Sequence, residues 1–227
     1  VLDFAGGTVV HISAGFAALS GAIFLGKRKN VKETQPTNIP YILLGTGLLW
    51  FGWFGFNAGS ALAADGLAVT AFVNTNIASA TAMLTWLLAD GAIGKKRSAT
   101  GAAIGAVVGL VAITPAAGFV TVGQSVFFGF IASLISYVAV RLKSRTNIDD
   151  TLDVFPCHGL GGIVGMLLTG IFAKEVGLIY GETTTFLYHL RGLAIVSVFA
   201  FGGSYLLYKL TDLILPMRVS SEQEQKG

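Results

Sequence analysis

The chain has 227 residues, of which 53% are hydrophobic and 12% charged, with a mean hydropathy of +0.72. Its charged share is about half the roughly 25% of a soluble domain, and fifteen Lys and Arg against twelve Asp and Glu leave a net charge of only +3. These numbers exclude a disordered chain, a collagen-like repeat and a nucleic-acid-binding surface, and they leave an all-α polytopic membrane protein.

Seven apolar segments follow one another, each near the ~20 residues that cross a bilayer as a helix. They are expected at 4–25, 41–63, 67–89, 100–120, 124–142, 151–173 and 186–215, in one membrane domain over 1–215 with a tail at 216–227. The first opens with Asp3-Phe-Ala-Gly-Gly-Thr-Val-Val-His11 and is followed by Lys27, Arg28, Lys29 and Lys32. The second carries the aromatic run Trp50-Phe-Gly-Trp53-Phe54-Gly55-Phe56-Asn57-Ala58-Gly59-Ser60, whose rings could face lipid or a narrow passage. Asn57, with Asn74 and Asn76 of the third segment, is expected to hydrogen-bond between helices. Lys95, Lys96 and Arg97 come next, and Pro115 is expected to kink the fourth segment beside Thr114. Arg141, Lys143 and Arg145 close the fifth segment. The sixth opens with Asp149, Asp150 and Asp153 ahead of His158, and the seventh contains His189 beside Arg191.

Thirteen of the fifteen basic residues fall on alternate sides, with Lys209, Arg218 and Lys226 at the C-terminal end. The positive-inside bias then places the C-terminus in the cytoplasm and Val1 outside. An external start without an initiator Met reads as the continuation of earlier membrane segments, so the chain is expected to be a fragment. The single cysteine, Cys157, excludes an intrachain disulfide and a cysteine-based metal site.

Two histidines sit inside apolar spans, each eight positions after a carboxylate: Asp3 to His11 and Asp150 to His158. Eight helical residues rise about 12 Å, towards the middle of a hydrocarbon core ~30 Å thick. The spans run in opposite directions, so the copies are inverted, as in many transporters. A histidine at that depth tends to line a polar path or relay. The rival use is ligation of a metal or haem in a membrane redox protein. Asp149 and Asp153 are expected to cap helix N–H groups, whereas Asp3 and Asp150 could also hold the backbone or bias the local field. His189 is expected at the membrane interface.

Asp3-Phe-Ala-Gly-Gly-Thr-Val-Val-His11, Trp53-Phe-Gly-Phe-Asn-Ala-Gly-Ser60, Phe72-Val-Asn-Thr75 and Asp153-Val-Phe-Pro-Cys-His158-Gly-Leu-Gly-Gly-Ile-Val-Gly resemble the ammonium transporter (Amt) family, in order and over essentially the whole chain. The resemblance implies the last seven of that family's eleven helices, an inverted-repeat bundle, and a homotrimer in the cell membrane with one narrow hydrophobic pore per subunit. His11 and His158 match its twin pore histidines, and Phe56 matches the inner phenylalanine of the outer gate. Trp53 and Val154 match pore-lining residues, Ser60 the serine of outer ammonium recruitment, Asp3 the acidic residue near the entrance and Asp150 its symmetry mate. Pro156 and Cys157 depart from the Gly-Val type expected before the histidine. The implied activity is ammonium transport rather than an enzymatic reaction, without cofactor or metal: NH4+ loses its proton, NH3 crosses, and the histidines relay the proton. An electroneutral ammonia channel and an ammonium sensor are the alternatives, and a PII-type regulatory protein is a possible partner at the cytoplasmic face.

Overall fold

The computed structural model describes residues 1–29, 36 and 38–226. The basic position Lys32 and the side chain of Lys226 therefore lie outside the described residues. The seven apolar segments form helices α1 (Gly7–Leu25), α2 (Ile39–Gly59), α3 (Gly66–Ala92), α4 (Ala99–Ile113), α5 (Val122–Lys143), α6 (Phe155–Phe172) and α7 (Thr184–Ile214), followed by a short α8 (Ser221–Lys226). Side-chain caps mark several starts. Asn38, Asp65 and Ser98 accept from the first free N–H groups of α2, α3 and α4, and Thr121 with Gln124 forms a reciprocal capping box on α5.

Six of the seven are long and apolar enough to cross a bilayer. The fourth departs from expectation. It was expected to run kinked to residue 120, but α4 has 15 residues, about 22 Å of helix. Pro115 ends it, because proline lacks the N–H and crowds the preceding turn. Irregular backbone at membrane depth is tolerated only inside protein, and residues 114–117 are buried. Carbonyls along the break find donors outside the helix ladder. Thr114 O accepts from Ala5 N and Pro115 O from Phe4 N, at 3.2 and 3.0 Å. The Asn74 amide serves Ala117 O and Val120 O, at 2.9 and 2.8 Å.

Helices α3, α4 and α5 pack as one close group, α1 packs on α7, and α6 lies among α1, α4, α5 and α7. Small residues permit these approaches, because lipid offers no hydrophobic drive between helices and contact must come from packing. A Cβ on Gly109 or on Gly129 would stand only 2.4 or 2.3 Å from Ala78 O of α3. A Cβ on Gly15 of α1 would stand 2.3 Å from Gly159 of α6. This last crossing brings the two histidine-bearing segments together.

Candidate functional site

Both histidine segments begin with the same local device. Asp3 accepts from the N–H groups four and five residues on, Gly7 at 2.5 Å and Thr8 at 2.9 Å, and from the Thr8 hydroxyl. Asp150 accepts from Val154 at 3.0 Å and Phe155 at 2.7 Å, the same offsets. Three residues after each carboxylate the backbone turns through positive φ, 94° at Gly6 and 55° at Asp153. A short polar residue such as Asp tolerates that region better than most. Each chain then enters a single π-helical stretch, Gly7–Ile12 and Phe155–Leu160, before continuing as α-helix. Such wide turns recur at functional sites. Each places its histidine eight residues after the carboxylate.

The result is a pair of imidazoles with centroids 5.6 Å apart, tilted by 41°. His11 is buried, with 3% of its surface exposed. Trp53 stacks on it at 5.1 Å and 20°, and Phe56 completes the cluster, 6.2 Å from His11 and 5.8 Å from Trp53. Thr114, at the broken end of α4, organises this group. Its hydroxyl proton goes to Leu110 O at 2.8 Å, which leaves only lone pairs for its other neighbours. It therefore accepts from Trp53 Nε1 at 2.9 Å and from His11 Nε2 at 3.3 Å. In that arrangement His11 Nε2 carries the proton, and Nδ1 keeps its lone pair. The link of Thr114 to Trp53 is tertiary and has no signature in spacing.

Val10, His11, Leu48, Leu49, Trp53 and Phe56 line a cavity of about 600 Å³. Val154, one turn before His158, lines a second cavity of about 550 Å³ with Asp150, Arg28 and Asp149. Ser60 closes α2 one turn beyond Phe56 and donates to Phe56 O at 2.8 Å. The structure thus brings His11, His158, Trp53 and Phe56 together, with Ser60 one turn from Phe56 and Val154 in the other cavity. The aromatic run divides: Trp53 and Phe56 face the first cavity, Phe54 stacks on Phe72 of α3 at 4.2 Å, and Phe51 is 75% exposed. Among the described residues, no three His, Cys, Asp or Glu side chains converge as metal ligands would.

Four expectations need correction. Asp149 and Asp153 are not the caps of α6; Asp150 fills that role, and its neighbours form ion pairs. Arg28 grips Asp149 with Nε at 2.7 Å and Nη2 at 2.8 Å, and this hydrogen bonding holds the Asp149 carboxyl down at about 2. Lys143 pairs with Asp153 at 2.6 Å and also donates to Asp150 O. Asn57 ties α2 to α3 through Thr75 Oγ1 at 2.9 Å, Asn74 ties α3 to the non-helical stretch after α4, and Asn76 is exposed. His189 is fully buried rather than interfacial; its neighbour Arg191 takes the outward position, over the Tyr188 ring. At the other end of the molecule, Arg218 donates to Leu25 O and Lys27 O and pairs with Glu224, so that residues 218–224 lie against the end of α1.

Known proteins are similar to this chain in sequence and in fold. The family model described as Ammonium Transporter Family matches residues 1–227. An ammonium transporter of Bacillus subtilis is 46% identical over 234 residues, covering 100% of this chain and 58% of the relative. The crystal structure of Candida albicans Mep2 matches with a TM-score of 0.91 at 39% identity, over 97% of this chain and 53% of that one. A structure named Sensor Amt Protein matches with a TM-score of 0.89 at 32% identity, over 100% of this chain and 58% of its own. The chain spans little more than half the length of the relatives it matches. A bundle of membrane-length helices, matched by sequence along its whole length and by structure nearly so, leaves one assignment: this multi-pass membrane chain belongs to the Ammonium Transporter Family.

Proposed function

We propose that this chain forms the histidine-bearing part of an ammonium transporter, in which NH4+ is recruited, gives up its proton and crosses as NH3. The observation that carries this reading is the meeting of two imidazoles, 5.6 Å apart, delivered by two inverted copies of one carboxylate-capped π-turn. Ammonium and potassium are similar in size, so a filter by size alone fails. A dry, apolar passage makes any bare ion costly, and ammonium alone can shed a proton and continue as a neutral molecule. Ser60, whose hydroxyl oxygen keeps lone pairs, and the Phe56 face recruit the cation at the outer mouth. Asp3 and Asp150 hold the two turns. Trp53 fixes the His11 ring, and Val154 lines the inner side. With Nε2–H turned to Thr114, His11 presents Nδ1 as the proton acceptor, and His158 carries the proton onward.

In the same reading the protein sits in the cell membrane as a homotrimer, with residues 216–227 on the cytoplasmic side. Basic loop residues and the docked tail then offer a face for a PII-type regulator.

The test is current per assembled protein in proteoliposomes made with the intact transporter. Replacing His11 and His158 together by asparagine should abolish ammonium-driven current while assembly persists. Wild-type ammonium current in that variant would overturn the relay.

A further inference from the structure

The third histidine is absorbed by none of this. His189 lies on α7, wholly buried, against α6 and the segment that leads into α1. Gly170 leaves the room it needs, since a Cβ there would stand 3.2 Å from His189 Nδ1. Both ring nitrogens are engaged, and neither assignment is ambiguous. Met166 O can only accept, so Nδ1–H donates to it at 2.8 Å. Leu2 N can only donate, so Nε2 accepts from it at 2.9 Å. The ring is therefore a neutral imidazole in one tautomer, joining α6, α7 and residue 2.

Residue 2 immediately precedes Asp3, the cap of the first π-turn. Phe4 and Ala5 are already anchored on the carbonyls freed by Pro115. Just ahead of the carboxylate, the Leu2 N–H is received by His189. The second half-site is held instead by a cation, because Lys143 donates to Asp150 O and pairs with Asp153.

We propose that His189 is a positioning residue for the first half-site: as a neutral acceptor it fixes the approach to Asp3 and so the placement of His11. The proposal rests on the reading of His11 as part of the permeation path, and its experiment separates the two. In the intact transporter, His189→Leu removes both hydrogen bonds, whereas His189→Gln keeps one donor and one acceptor without a titrating ring. Amide exchange is read over residues 2–8, with residues 154–158 as the internal control, alongside ammonium current per assembled protein. His189→Leu should speed exchange over 2–8 by about tenfold or more, as expected for a lost buried hydrogen bond, leave 154–158 unchanged and lower the current. His189→Gln should restore both. If His189→Leu does not assemble, the glutamine variant and the 15N spectrum of wild-type His189 decide. Nδ1 as the protonated nitrogen and a wild-type-like glutamine variant support the clamp; the opposite tautomer or a glutamine variant as impaired as an empty site overturns it. Faster exchange with unchanged current would reject positioning and leave the role of the histidine pair untouched, since that is tested by its own double substitution.

Discussion

In segment 3–11 a partly buried carboxylate caps its turn, a glycine supplies the positive φ, and the approach is tied down by neutral groups: backbone carbonyls of the broken α4 and the His189 ring. In segment 150–158 the carboxylate is 5% exposed, an aspartate takes the positive φ, and the approach is tied down by cations, Arg28 on Asp149 and Lys143 on Asp153. The hydrogen-bond offsets from the carboxylate are identical in the two. Geometry at the histidine is thus shared between the halves, whereas the means of holding it are local. An inverted repeat constrains the backbone path and leaves each copy free to recruit whatever its own surroundings provide.

The largest effect that would sharpen this contrast is expected from Lys143→Met. The change leaves Asp153, 22% exposed and in positive φ, without its cation, and removes the donor to Asp150 O. Loss of a partly buried pair of this kind should cost about 1–2 kcal/mol. Amide exchange should rise over 154–158 and not over 2–8, the mirror image of His189→Leu. Equal loosening of both segments would break the claim that the clamps are separate.

A smaller effect is expected at the Arg28–Asp149 pair. The folded Asp149 carboxyl, held at about 2, lies below its ordinary value of 3.8. A depressed value contributes stability that is fully present above pH 3.8 and is lost as pH falls from there through about 2. Arg28 is 44% exposed, so solvent and salt screen the pair and its worth is about 0.5 kcal/mol. Thermal unfolding of the intact protein in detergent between pH 5 and 2.5 checks this. Asp149→Asn should flatten a small acid-dependent part of the curve, more visibly at low salt than at high salt.

Much of this architecture was legible before any coordinates. Run length identified the helices, because each apolar stretch is long enough to cross a bilayer and too long for a strand. The eight-residue spacing of Asp3 to His11 and Asp150 to His158 singled out the two histidines whose rings meet. The end of α4 was misplaced because residues 114–120 stay apolar although the backbone there is no longer helical; hydropathy reports burial and is blind to the break. Asp150 holds the backbone as expected, but Asp149 and Asp153 were misread as caps, because three carboxylates within five residues look alike until the first turn is built. His189 was read as interfacial from its place near a span end and beside Arg191, yet successive helical residues point about 100° apart, so Arg191 faces outward while His189 turns in. The π-turns left no trace in periodicity, since one widened turn is too short to register. Thr114 was missed as an organiser of the rings because its partners lie on α1 and α2.

The central claim is that the two halves work as one unit at the histidine pair. Ammonium-driven current per assembled protein, compared for His11→Asn, His158→Asn and both together, tests it most directly. Residues acting as a unit are strongly non-additive. The account predicts that either single substitution removes most of the ammonium current and that the double variant is little worse than the more damaged single one. Independent, multiplying losses, or one histidine that can be replaced without effect, would contradict it.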